Sequence, residues 1–112
     1  MRAPILLACL ALAAAPLTAM AQGSAAPPSE GKRLFDHKCG MCHNATGMGT
    51  GLLARRVPAG QAELEKRDGL NAAYIVKAAR MGVGNMPPIT RGDVPDPELA
   101  AIAAYLAKAP AR

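Results

Sequence analysis

Aromatic side chains are nearly missing from this chain: its 112 residues include one Phe, two Tyr and no Trp. A chain this small buries a modest core and often needs a staple, and so few rings leave that core short of bulk. Histidine is as scarce, with His37 and His43 the only two. A structural zinc site takes four ligands, usually as two pairs well apart in sequence, and here every candidate crowds into residues 37–43. No strand-like alternation flanks Cys39, so the βαβ setting of a thioredoxin-like pair is missing too. Basic residues outnumber acidic ones, 13 to 8, for a formal charge of +5. No basic patch is interleaved with aromatics, so no nucleic-acid partner is expected. A mildly basic surface favours an acidic partner face instead.

What the chain does contain is the pentapeptide Cys39-Gly40-Met41-Cys42-His43. C-x-x-C-H is the attachment signature of a c-type haem. The two thiols add across the haem vinyl groups, and His43 is then placed under the iron as proximal ligand. One covalent heme c is therefore the expected cofactor, and its apolar surface would supply the bulk that aromatics do not. Covalent attachment and two protein ligands leave the iron little room for substrate chemistry, so an electron carrier is expected rather than an enzyme.

The start of the chain reads as an address. Arg2 supplies positive charge, Ile5 to Leu17 is a short apolar run, and Ala19-Met20-Ala21 matches an A-x-A cleavage signal. Residues 1–21 are thus expected to be a cleaved secretory signal peptide, 22–28 a flexible leader and 29–112 one monohaem domain. The apolar run is too short to cross a bilayer comfortably, so the processed chain is not expected to be membrane-spanning. Leu6-Leu7-Ala8-Cys9 superficially resembles a lipidation site, but too little chain precedes it for an apolar stretch. With Cys9 removed, both remaining cysteines belong to the motif and no disulfide is available within one chain. Haem attachment follows translocation, so the expected location is periplasmic.

Along the rest of the chain, Ser29 is expected to cap a first helix from Glu30 to about Cys39, with Leu34 and Phe35 on its apolar side. Asn44 to Gly51 holds three glycines and reads as a loop pressed against something flat. Leu52 to Gly69 is weakly patterned, with a short exposed helix suggested over Ala62 to Arg67. Asn71 starts a second helix with the stripe Tyr74, Ile75, Ala78 and Ala79, which Gly82 closes. Val83 to Pro88 is a loop stiffened by two prolines. In the last helix Asp96 is the expected cap, Pro97 takes the first position and Glu98 complements the dipole. Leu99, Ile102, Ala103 and Leu106 recur there at the helical period. The fold class expected is all-α, three main helices around one haem with no significant sheet.

Haem iron with a proximal His takes Met as its other ligand when the task is electron transfer. Met1 and Met20 leave with the signal, and Met41 lies inside the motif. Met48, Met81 and Met86 remain. Met81 in the last turn of a helix suggests core packing, and Met48 lies in the loop beside His43. Pro87 keeps Met86 out of helical conformation in a stiff loop. The loop favours Met86, with Met81, Met48 and an open or water-bound iron as alternatives. His37 reads as a surface or haem-rim residue. Arg55 and Arg56 are either propionate partners or solvated charges. Lys38, Lys77, Arg80 and Arg91 form either a docking rim or an ordinary soluble surface.

The pattern Gly31-x-x-Leu34-Phe35, Cys39-x-x-Cys42-His43, Met86-Pro87 and Ala104-Tyr105-Leu106 resembles that of small class I monohaem cytochromes c. The resemblance implies that the first and last helices cross near Gly31 and Phe35 against Tyr105, with the haem in a crevice that leaves one edge open to partners. More narrowly, Gly47-Met48-Gly49, Ala73-Tyr74-Ile75, Arg80-x-Gly82, Met86-Pro87 and Asp96-x-Glu98-Leu99 resemble the cytochrome subunits of p-cresol methylhydroxylases. That likeness implies docking onto a flavoprotein dehydrogenase. Thr50 stands where the family usually has a proline whose carbonyl accepts from the proximal His Nδ1–H, and the Thr50 carbonyl is expected to accept in its place. The expected partners are a periplasmic dehydrogenase as donor and an oxidase or other cytochrome as acceptor. A tightly bound subunit of a flavoprotein or quinoprotein dehydrogenase is the alternative. A haem sensor or peroxidase would need an open sixth position and a polar distal pocket, for which no residues present themselves.

Overall fold

A computed structural model of the chain describes residues 29–108. The expected signal peptide and leader lie outside the described residues. Five helices follow in order: α1 (Glu30–Lys38), α2 (Gly40–His43), α3 (Met48–Leu53), α4 (Ala72–Met81) and α5 (Asp96–Leu106). The three long ones are the three expected. Among the described residues the only β feature is an isolated bridge between Val83 and Met86, so the fold is all-α. No helix there is long and apolar enough to cross a membrane.

The long helices begin where local chemistry allows. Ser29 accepts from the Lys32 N–H at the start of α1, and the Asn71 side chain accepts from the Tyr74 N–H at the start of α4. Each replaces water on an otherwise orphaned backbone donor. Gly82, at φ 74°, ends α4 in a conformation that costs a glycine little. The α5 start differs from expectation. Pro95 is the cap residue, Asp96 is the first helical position, and no side chain caps the helix. The Asp96 carboxylate is drawn instead to Arg80 and Arg91. Paired, charged hydrogen bonds hold it more firmly than one backbone N–H would.

α1 and α4 both pack on α5. The core joins Leu34 and Phe35 of α1, Ala79 of α4, Val94, and Leu99, Ile102 and Leu106 of α5. Phe35 and Ile102 are the largest fully buried side chains, each contributing about 1.5–3 kcal/mol by leaving water. α1 and α5 touch backbone to backbone at Gly31, where a Cβ would stand 2.5 Å from the Ala101 carbonyl oxygen and 2.6 Å from Tyr105 Cβ. The Phe35 and Tyr105 rings lie 6.2 Å apart at 47° beside this crossing, a favourable tilted arrangement. The crossing that the family resemblance implied is therefore present.

Two segments depart from expectation. Residues 48–53 are helical although glycine-rich, because packing under the haem motif outweighs a propensity cost of about 1 kcal/mol per glycine. Residues 62–67 make only a turn closed on the Glu63 carbonyl. Their side chains reach elsewhere: Glu65 accepts from the Tyr105 hydroxyl and pairs with Lys32 at 3.1 Å.

Candidate haem-binding site

Cys39 closes α1, its N–H donating to the Phe35 carbonyl at 2.8 Å, and at once opens α2. The Cys42 and His43 N–H groups both donate back to the Cys39 carbonyl, at 3.1 and 3.0 Å. This tight turn sets both free thiols and the imidazole along one cavity. α3 then passes beneath His43. A Cβ at Gly49 would stand 2.8 Å from the Cys42 carbonyl oxygen and 3.3 Å from His43 Cε1. Glycine here is a requirement of close approach.

Burial pushes the His43 pKa below its ordinary value of 6.5. The ring is neutral near pH 7 and has a lone pair to give a metal. Its Nδ1 is buried with no hydrogen-bond partner. The expected bond to the Thr50 carbonyl is not made; that carbonyl accepts the Ala54 N–H at 2.9 Å as α3 continues. Thr50 contributes differently. Its buried hydroxyl donates to the Asn44 carbonyl at 2.7 Å and ties the end of α2 to α3.

The cavity has a volume of about 290 Å³. Its lining is mainly apolar, with Phe35, Leu52, Leu64, Leu70, Ile75 and Leu106 among its walls. Met86 enters from the loop between α4 and α5. Met86 and Val83 exchange backbone hydrogen bonds of 2.9 and 3.1 Å, Pro87 and Pro88 follow, and the Ile89 N–H donates to the Ala79 carbonyl at 2.8 Å. Met48 lines the same cavity, whereas Met81 lies outside it and is 67 % exposed. The core-packing expectation for Met81 is therefore corrected: the helix turns that residue to solvent. His37 is exposed and off the cavity. The described residues assemble no group of three or more His, Cys, Asp or Glu side chains for a metal ion.

The structure separates the alternatives left open for the cations. Arg56 borders the cavity and Arg55 does not, while Arg67, which no sequence signal singled out, does. Arg80 is largely buried and bonded to Ile89, Val94 and Asp96. Arg91 pairs with Asp96, and Lys38 bonds the Asp93 carbonyl and lies 3.7 Å from Glu98. Of the four residues weighed as a docking rim or an ordinary surface, Lys77 alone has no acidic partner among the described residues.

The residues fit a haem. A thiol pair, a neutral imidazole and a thioether meet in an apolar slot too large for the few aromatics to fill. Two guanidiniums without carboxylate partners border that slot and match a porphyrin's acidic edge. With an all-helical fold whose first and last helices cross at a glycine, they make the class a small class I cytochrome c. The model of the family described as cytochrome C oxidase, cbb3-type, subunit III matches residues 26–106, and the chain belongs to that family. No curated protein and no solved structure matches it. The chain is a haem-based electron-transfer protein, a carrier in role.

Proposed function

We propose that the chain is a periplasmic carrier with a single heme c, held covalently by Cys39 and Cys42 and ligated by His43 and Met86. Its donor would be a periplasmic dehydrogenase and its acceptor an oxidase or another cytochrome. The gathering of those four side chains in one apolar cavity is the observation that carries this reading. An oxidase subunit in the family's description supports an oxidase as terminal partner.

The bound haem would supply a one-electron change between ferric and ferrous iron. The chain's residues do the rest. The two thiols anchor the group by thioether bonds. Burial raises the Cys39 pKa above its ordinary 9.0, with the nearby Cys42 adding to it, so this thiol keeps its proton until it reacts. Neutral His43 gives a nitrogen lone pair, and Met86 gives a sulfur whose loop moves little when the iron's charge changes. Leucines and Ile75 exclude water, which favours the less charged state. Arg56 and Arg67 would hold the porphyrin carboxylates in forked, charge-assisted hydrogen bonds.

Arg55, Arg56, Arg67 and Lys77 are the described cations without an acidic partner. Arg56 and Arg67 line the cavity, whereas Arg55 and Lys77 lie off it and leave positive charge suited to an acidic partner face. A stable flavoprotein or quinoprotein dehydrogenase subunit, as in p-cresol methylhydroxylase, shares this chemistry and differs in the lifetime of the complex. Co-purification of a stoichiometric partner would favour it. The ligand assignment is tested by the ferric spectrum. A weak red charge-transfer band is expected and should vanish in Met86→Ala. A native protein without that band, or one that binds carbon monoxide readily, contradicts the assignment.

A further inference from the structure

Arg80 spends its guanidinium on one stretch of chain. Its Nη1 donates to the Ile89 carbonyl at 3.0 Å, and its Nη2 donates to the Val94 carbonyl at 2.9 Å and to Asp96 Oδ1 at 2.6 Å. Arg91 Nε donates to the second Asp96 oxygen at 2.8 Å and steadies that carboxylate. Arg80 sits in the last turn of α4. All three acceptors lie on the return from Met86 into α5. A planar fork on three acceptors fixes geometry in a way that a point charge does not.

Met86 lies between these anchors. On one side its backbone is bridged to Val83, and Gly82 packs so closely that a Cβ there would stand 2.6 Å from the Met86 carbonyl oxygen. On the other side Pro87 and Pro88 form a stiff arm to Ile89. The Ile89 N–H bond to Ala79 and the Arg80 fork hold the far end of that arm. A shift at Ile89 would pass along the prolines to Met86, because their fixed φ angles leave little freedom to absorb it. Arg80 itself does not line the cavity, so it acts on the site only through this loop.

We propose that Arg80 is a positioning residue that latches the Met86 loop and sets how readily the Met86 thioether yields to an outside ligand. The inference rests on Met86 being the second iron ligand. It is tested on the full ferric holoprotein by imidazole titration at constant pH, followed by absorbance. Arg80→Met, Arg80→Lys and the remote control Lys108→Met are compared, the last removing only the exposed pair with Asp68. Apparent affinity scales with the fraction of molecules whose loop is open. Arg80→Met should therefore bind imidazole roughly tenfold or more tighter, Arg80→Lys should fall between it and wild type, and the control should not change. Should Arg80→Met fail to fold, Arg80→Lys and Asp96→Asn decide on the same criterion. Lower melting temperature with unchanged imidazole affinity would make Arg80 merely structural and overturn the inference. A wild-type protein lacking the red band would instead remove Met86 as ligand and the inference with it, whereas an intact band with indifferent Arg80 variants defeats the latch alone.

Discussion

Replacing Gly31 by alanine sets two effects of opposite sign against each other. By helix propensity the change is favourable by up to about 1 kcal/mol. By packing it is not, since the new carbon would meet the Ala101 carbonyl oxygen at 2.5 Å and Tyr105 Cβ at 2.6 Å, where ordinary contact begins at 3.4 Å. Neither neighbour is the far end of a flexible side chain, so α1 and α5 must part by most of an ångström. Overpacking of this kind costs about 1–3 kcal/mol, and the parting also loosens the Phe35–Tyr105 contact. We expect a net loss of roughly 1–2 kcal/mol, or about 4–8 °C in Tm for each kcal/mol. Gly51→Ala is the matched control: it lies in α3 with nothing within 4 Å of an added Cβ, and should gain up to about 1 kcal/mol. Denaturant or thermal unfolding of the holoprotein, followed by helical circular dichroism, measures both. A Gly31→Ala protein as stable as wild type, or more so, refutes the close crossing.

Three further outcomes follow from the packing and charges. Phe35→Ala empties a fully buried site and should cost about 3–5 kcal/mol in denaturant unfolding. Thr50→Val removes the hydroxyl that donates to the Asn44 carbonyl; a loss of about 1–2 kcal/mol is expected, with Thr50→Ser largely retaining stability, and equal stability of Val and Thr proteins would show that this tie is idle. Asp96 is held below its ordinary 3.8 by Arg91 and then Arg80, and Asp68 likewise by Lys108. Depressed folded values mean stability that is present above the unfolded value and lost as pH falls through the folded one, so melting temperature should be insensitive to these groups at neutral pH and fall below about pH 5; Asp96→Asn should flatten that acid slope.

Much of the architecture is legible in residue order. Ser29 and Asn71 announce their helices because each side chain meets a nearby N–H, and the Leu99–Ile102–Leu106 stripe announces α5 because its burial follows helical period. The cysteine pair and His43 are equally legible, since attachment chemistry depends on local spacing. Illegible features depend on neighbours distant in sequence. Glycine-rich residues 48–53 become helical because the Cys42 carbonyl and His43 ring lie against them. Asp96 leaves its cap for two arginines that no local pattern pairs with it. Arg80 resembles a surface cation until the returning loop covers it, and Arg67 reaches the cavity through turns without periodicity.

The central claim is a porphyrin bonded to Cys39 and Cys42 inside the apolar cavity. Intact-mass spectrometry of the purified holoprotein, denatured and extracted with acid acetone, tests it most directly. The account predicts a polypeptide heavier by the mass of one haem, with the colour remaining on the protein, and loss of that attachment when both cysteines are replaced by alanine. A bare polypeptide mass, or colour passing wholly into the solvent, would contradict it.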